Sequence, residues 1–139
     1  MERDGLRIAY LDWGDPSSDV AVDPLIVLHP NGFCAGVFAP LARRLGDRFR
    51  VVGVDLRGHG ASETVTVPAL LGNDAMALDV LAVADELKVD HFHLLGVSLG
   101  GGVAIEVASA APERVRALML CEAIAIDSTA REQQHFSFG

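Results

Sequence analysis

The 139-residue chain has little cysteine, with two, and few aromatic side chains, which make up 6% of it and include a single Trp and a single Tyr. Cys34 and Cys121 are far apart and form no CxxC pair. That excludes a disulfide scaffold and a thiolate metal cluster, and the two read as reduced thiols in or near a core. Basic residues are scarce too: 11 Lys+Arg against 19 Asp+Glu leave a net charge of −8. A phosphate-binding surface needs a basic patch, so neither nucleic acid nor an anionic membrane is an expected partner. Long apolar runs are missing. The N-terminal MERDGLRIAY is charged where a signal peptide would be apolar. The least polar long segment, Leu94 to Ala111, holds Glu106, four glycines and two serines, and reads as a buried strand running into a buried helix rather than a membrane span. A cytoplasmic location is expected. The chain has no internal repeat, no GxGxxG after a strand, no GxxxxGK[ST], and no His/Asp/Glu spacing that suggests a metal site.

What is there is ordinary globular material. Half of the residues are hydrophobic and 22% charged, and a chain this long buries roughly two-thirds of its unfolded surface, enough for one core. Apolar runs of strand length alternate with stretches of helical period. Strands are predicted at Leu6–Trp13, Leu25–Leu28, Phe49–Val54, Phe92–Gly96 and Arg116–Cys121. Helices are predicted at Val37–Leu45, from an Asn73/Asp74 N-cap through Leu87, and at Leu99–Ala111, with Leu78, Leu81, Ala84 and Leu87 forming the inward face of the second. Asp15 to Pro24 is a polar loop. The order calls for α/β architecture: a doubly wound, mostly parallel sheet with helices on both faces. The tail from Ala123 to Gly139 offers no further strand.

One motif carries chemistry. Gly96-Val97-Ser98-Leu99-Gly100 fits G-x-S-x-G, with FHLLG before it and LGGGVAIEVASAA after it, the strand-then-helix context such a turn requires. The serine must take a strained backbone conformation for its hydroxyl to project from the sheet. The helix then crosses so near the strand that side chains at Gly96 and Gly100 would clash, and Gly101 and Gly102 extend that approach. Free N–H groups at the helix N-terminus point toward Ser98, which suits a developing oxyanion.

With these residues in view, the chain resembles the N-terminal part of the α/β-hydrolase family. The landmarks IAYLDWG, LHPNGF, VDLRGHGAS and LLGVSLGGG arrive in family order, followed by PERVRALMLCEA, and the resemblance covers residues 5 to 125. It implies a truncated α/β-hydrolase fold: 1–125 as the N-terminal part of the core, and 126–139 as the start of a lid. It also implies Ser98 as nucleophile, the Leu99 N–H as one oxyanion donor, and a second donor from the HPNGF loop, Asn31 ahead of Phe33. Pro30 stands where many members carry Gly. By the same resemblance His29 organises its loop, and Asp55, Arg57, Gly58, His59 and Gly60 are structural. The strand ending at Leu28 should lie between those ending at Val54 and Gly96, which places HPNGF and Ser98 on either side of a topological switch point.

A serine hydroxyl needs a base. The family order is Ser, acid, His, and after the elbow this chain offers only Glu106, Glu113, Glu122, Asp127, Glu132 and His135. Glu122 is a candidate acid, because haloalkane dehalogenases in this family take theirs from that position, although their nucleophile is Asp. His135 falls where a lid begins, and His91 and His93 at the far end of the sheet. The expected activity is hydrolysis of a small ester- or lactone-type carbonyl substrate, without a cofactor, and nearly absent in the 139 residues alone. Two alternatives stand: a non-catalytic fragment or ligand-binding remnant, and haloperoxidase-like or carbon–carbon bond hydrolysis on the same fold. Arg116–Cys121 should present an unpaired edge that invites self-association.

Overall fold

The computed structural model of the chain describes residues 1–14 and 23–124. Most of the loop expected at Asp15 to Pro24 lies outside the described residues. So does the expected lid segment 126–139, with Asp127, Glu132 and His135. The elements run β1 (Glu2–Arg3), β2 (Leu6–Arg7), β3 (Tyr10–Asp12), β4 (Leu25–Leu28), α1 (Ala39–Leu45), β5 (Val51–Val54), α2 (Asn73–Glu86), β6 (Phe92–Val97), α3 (Leu99–Ala110) and β7 (Val115–Cys121). Strands β3 to β7 form one sheet in the order β3-β5-β4-β6-β7, with β3 antiparallel to β5 and the other neighbours parallel. Leu28 pairs with Val54 on one side and Gly96 on the other, so β4 is the central strand, as the family order implies.

Alternation along the strands divides the core into two. On one face Ile26, Leu28, Val52, Val54 and Leu94 pack with Met76, Val80 and Val83 of α2 and Val103, Ala104 and Val107 of α3. On the other, Leu25, Val27 and Val51 meet Ala42 of α1, ringed by Trp13, Phe38, Leu41 and Leu45. All four residues of β4 and of β5 are buried, the mark of parallel strands covered on both sides. Helices therefore lie on both faces of a mostly parallel sheet. Among the described residues no helix is long and apolar enough to cross a membrane.

Several local expectations are corrected. The single strand expected at Leu6–Trp13 is two, β2 and β3, and the first of them closes an unforeseen hairpin with β1. Asp4 and Gly5 both have positive φ (53° and 75°), the two-residue turn that an Asp-Gly pair favours, and it folds β1 back on β2. The helix expected at Val37–Leu45 is a 3-10 turn, Ala35–Phe38, followed by α1. Pro40 lies in the first turn of α1, where its missing N–H costs nothing. Helix α2 is capped by Gly72, whose carbonyl receives the Met76 N–H, rather than by Asn73 or Asp74. Its inward face is Met76, Ala77, Asp79, Val80, Val83 and Ala84, while Leu78 is 45% exposed. That rotation follows from Asp79, which is drawn inward by a buried arginine described below. Cys34 is half-buried, and Cys121 is exposed because β7 is the last strand of the sheet and almost all of it is open to solvent.

Candidate active site

The elbow comes from the crossing of α3 over the sheet. Ser98 joins β6 to α3 with φ 52° and ψ −113°, outside the left-handed helical region as well as the common ones. Both sides of its peptide are held. Its N–H donates to the Cys121 carbonyl at 2.9 Å, and its carbonyl accepts from Gly101, Gly102 and Ile124. The turn at the end of β7, where Glu122 itself has φ 51°, thus wraps the serine backbone. A Cβ on Gly96 would lie 2.7 Å from the Gly101 Cα, and one on Gly100 would lie 2.8 Å from the His29 carbonyl oxygen, both closer than atoms pack. These two glycines allow the helix to touch its own strand and the neighbouring one.

Register puts the β4 loop beside the elbow. Leu28 and Gly96 are partners, so Pro30 and Ser98, each two residues further on, leave the sheet side by side. In that loop the Phe33 N–H is taken by the Pro30 carbonyl at 3.2 Å. Neither the Asn31 N–H nor that of Leu99, the first residue of α3, has an acceptor among the described residues. The Ser98 side chain makes no capping bond to α3. Among the described residues, no imidazole or carboxylate bonds its hydroxyl.

The loops are braced from below. His29 is fully buried; its Nε2 accepts the Leu56 N–H at 3.0 Å, and its Nδ1–H reaches the Pro30 carbonyl at 2.8 Å, which fixes a neutral tautomer. Burial lowers its pKa below the usual histidine value. The Pro30 carbonyl works against that shift and the nearby His59 with it. The Asp55 carboxylate receives the backbone N–H groups of Ala35 and Ala61, tying the β5 exit to the β4 loop. Arg57 is buried and paired through two N–H groups with Asp79 of α2, which also receives Arg3 at 2.9 Å. His59 spans from the Arg57 carbonyl to the Asn31 side chain.

The structure brings Gly96, Ser98, Leu99, Gly100, Asn31 and the turn at Glu122 to one end of the sheet. His93 is at the opposite end, edge-on to Phe49. Glu122 is exposed, and no bond from its carboxylate to a histidine occurs among the described residues. No group of three metal-ligating side chains occurs among them either. The sequence reading missed Asp79. Its signal was a lone acid at an inward position of an otherwise apolar helical stripe.

A strained serine between a central parallel strand and a glycine-rich helix, with a second loop alongside, defines a class of protein. The chain belongs to the α/β hydrolase fold family, whose model matches residues 23–137. Its relatives include esterase-like hydrolases. The pimeloyl-acyl-carrier-protein methyl ester esterase of Nitrosomonas europaea is 41% identical over 96 residues, 69% of this chain and 35% of that protein. Among solved structures, an esterase from Thermogutta terrifontis matches with a TM-score of 0.77 at 28% identity, over 91% of this chain and 45% of its own. One from Exiguobacterium antarcticum matches with a TM-score of 0.75 at 31% identity, over 86% and 42%. The chain spans less than half the length of these relatives.

Proposed function

We propose that this chain is the nucleophile-bearing part of a serine hydrolase acting on a small ester- or lactone-type carbonyl substrate. Ser98 Oγ attacks the carbonyl carbon. The Leu99 and Asn31 N–H groups receive the oxyanion, and the alkoxide leaves with a proton to give an acyl-serine that water then cleaves. The observation that carries this reading is the Ser98 backbone, held in a costly conformation by four hydrogen bonds while its hydroxyl caps nothing. A serine serving only as an N-cap would use its oxygen on the helix. The free N–H of Asn31, against the occupied one of Phe33, supports Asn31 as second donor.

The base and its acid belong to this proposal too. Glu122, at the turn that wraps Ser98, is one acid position, and a later strand is the family's usual one. In a Ser-His-acid enzyme, loss of the histidine costs about 10⁶ in turnover. The 139 residues alone are therefore expected to be nearly inactive. A fused form, in which the chain continues into the C-terminal part of the Nitrosomonas europaea esterase, is expected to hydrolyse p-nitrophenyl acetate and to lose that activity on Ser98→Ala. Hydrolysis that survives Ser98→Ala in the fused form overturns the assignment.

A further inference from the structure

Two imidazoles cross between the loops that leave β4 and β5, in opposite directions. His29 of the β4 loop receives the Leu56 N–H of the β5 loop. His59 of the β5 loop puts Nε2 3.0 Å from Asn31 Oδ1 in the β4 loop, and Nδ1 2.9 Å from the Arg57 carbonyl. The rings are 5.1 Å apart. The inner ring has one acceptor and one donor as partners, which suits a single neutral tautomer. The outer ring faces oxygen at both nitrogens. A carbonyl only accepts, so Nδ1 carries a hydrogen. In a neutral imidazole, Nε2 is then a lone pair that requires a donor. An asparagine amide can present either its oxygen or its NH2 at nearly the same reach after a half-turn about χ2. The pair therefore fits both charge states of His59: Nε2–H to Oδ1 when the ring is cationic, Nδ2–H to Nε2 when it is neutral.

We propose that His59 is a positioning residue for the β4 loop, holding Asn31 through a hydrogen bond whose polarity reverses as His59 gains or loses a proton. Its bearing on catalysis rests on the reading of the Asn31 N–H as oxyanion donor; its geometry does not. Among the described residues the bond to His59 is the only hydrogen bond Asn31 makes, through side chain or backbone. Gly32 beside it has φ 78° and Phe33 projects into solvent, so neither holds the loop tip by packing. The far anchor is firm, because Arg57 is locked to Asp79. The charged and titratable groups around His59 are the His29 ring, the Asp55 carboxylate and the Arg57 guanidinium. His29 is occupied by Leu56 and Pro30, Asp55 by Ala35 and Ala61, and Arg57 by Asp79. None takes a ring nitrogen of His59.

The test is nitrogen-15 NMR of the 139-residue chain, following the His59 ring and both amides of Asn31 across a pH series. Nδ1 is expected to stay protonated throughout, and the Asn31 side-chain and backbone signals are expected to move with the same midpoint as the His59 ring. In His59→Phe that shared step disappears from both Asn31 signals. Asn31→Asp, a change at an exposed position, offers only acceptors and keeps the Nε2 proton to a higher pH than in the parent. Asn31 signals that ignore the His59 titration, or a ring that titrates identically with Asp at position 31, overturn the proposal. Failure of the oxyanion reading alone would leave these results in place. It would show instead as an Asn31 backbone amide that does not shift when Ser98 of the fused form is phosphonylated.

Discussion

Replacing the candidate nucleophile with glycine is expected to stabilise the fold. Ser98 sits at φ 52°, ψ −113°, a region that costs a residue with a Cβ about 1–3 kcal/mol. Relaxing it would break the bonds from its N–H to Cys121 and from Gly101, Gly102 and Ile124 to its carbonyl, so the strain persists. Glycine removes that cost but brings about 0.5–1 kcal/mol of extra unfolded-chain entropy. The net gain for Ser98→Gly is about 1 kcal/mol, or roughly 3–5 °C in Tm for a domain of this size. Ser98→Ala keeps the Cβ and the strain, and its hydroxyl has no capping bond to lose, so it should stay within about 0.5 kcal/mol of the parent. Thermal and urea unfolding of the three chains, followed by Trp13 fluorescence, measures both differences. A Ser98→Gly chain less stable than Ser98→Ala would refute the claim that the elbow stores strain for the serine.

Other consequences follow from the same contacts. Asp79→Ala leaves the buried Arg57 guanidinium with only the exposed Asp4 carboxylate, 3.5 Å away, and is expected to cost about 3 kcal/mol in urea unfolding. Arg57→Met should cost less, since Asp79 keeps Arg3; equal losses, or losses below about 1 kcal/mol, would contradict the network. His29 is neutral in the fold with its pKa lowered, so the unfolded chain takes up a proton first as pH falls below about 6.5. Stability should then decline with falling pH by up to about 1.4 kcal/mol per unit until the folded-state value is reached. His29→Gln is expected to flatten that slope, and an unchanged slope counts against it. Leu118, Met119 and Leu120 of β7 are 38 to 45% exposed, and the strand pairs on one side only among the described residues. We expect a second copy to pair along that edge, seen by sedimentation velocity and reduced in Leu118→Lys/Leu120→Lys, whereas an unaltered distribution would exclude it.

How much of this was legible depended on whether the signal was local. LIVL reads as a buried strand because four apolar residues stand between turn residues, and β4 occupies those positions. The elbow was legible because its glycines answer a steric demand set by the two elements on either side. The hairpin at Asp4-Gly5 was equally local, and its dipeptide was the available sign. The face of α2 was not. Counting leucines turns it toward Leu78, while the true rotation depends on Arg57, 22 residues away from Asp79. That the Pro30 carbonyl takes the Phe33 N–H and leaves that of Asn31 without an acceptor among the described residues is likewise a fact of loop geometry that residue types do not encode.

The central claim, that Ser98 is a nucleophile poised at the elbow, is tested most directly by intact-mass analysis after treatment with a fluorophosphonate. The fused form is expected to gain one phosphonyl group, mapped to Ser98 and absent in Ser98→Ala. The 139 residues alone are expected to gain none over the same period, because no base meets the Ser98 hydroxyl among the described residues. An adduct on a different residue of the fused form, or none while ester hydrolysis proceeds, would contradict the account.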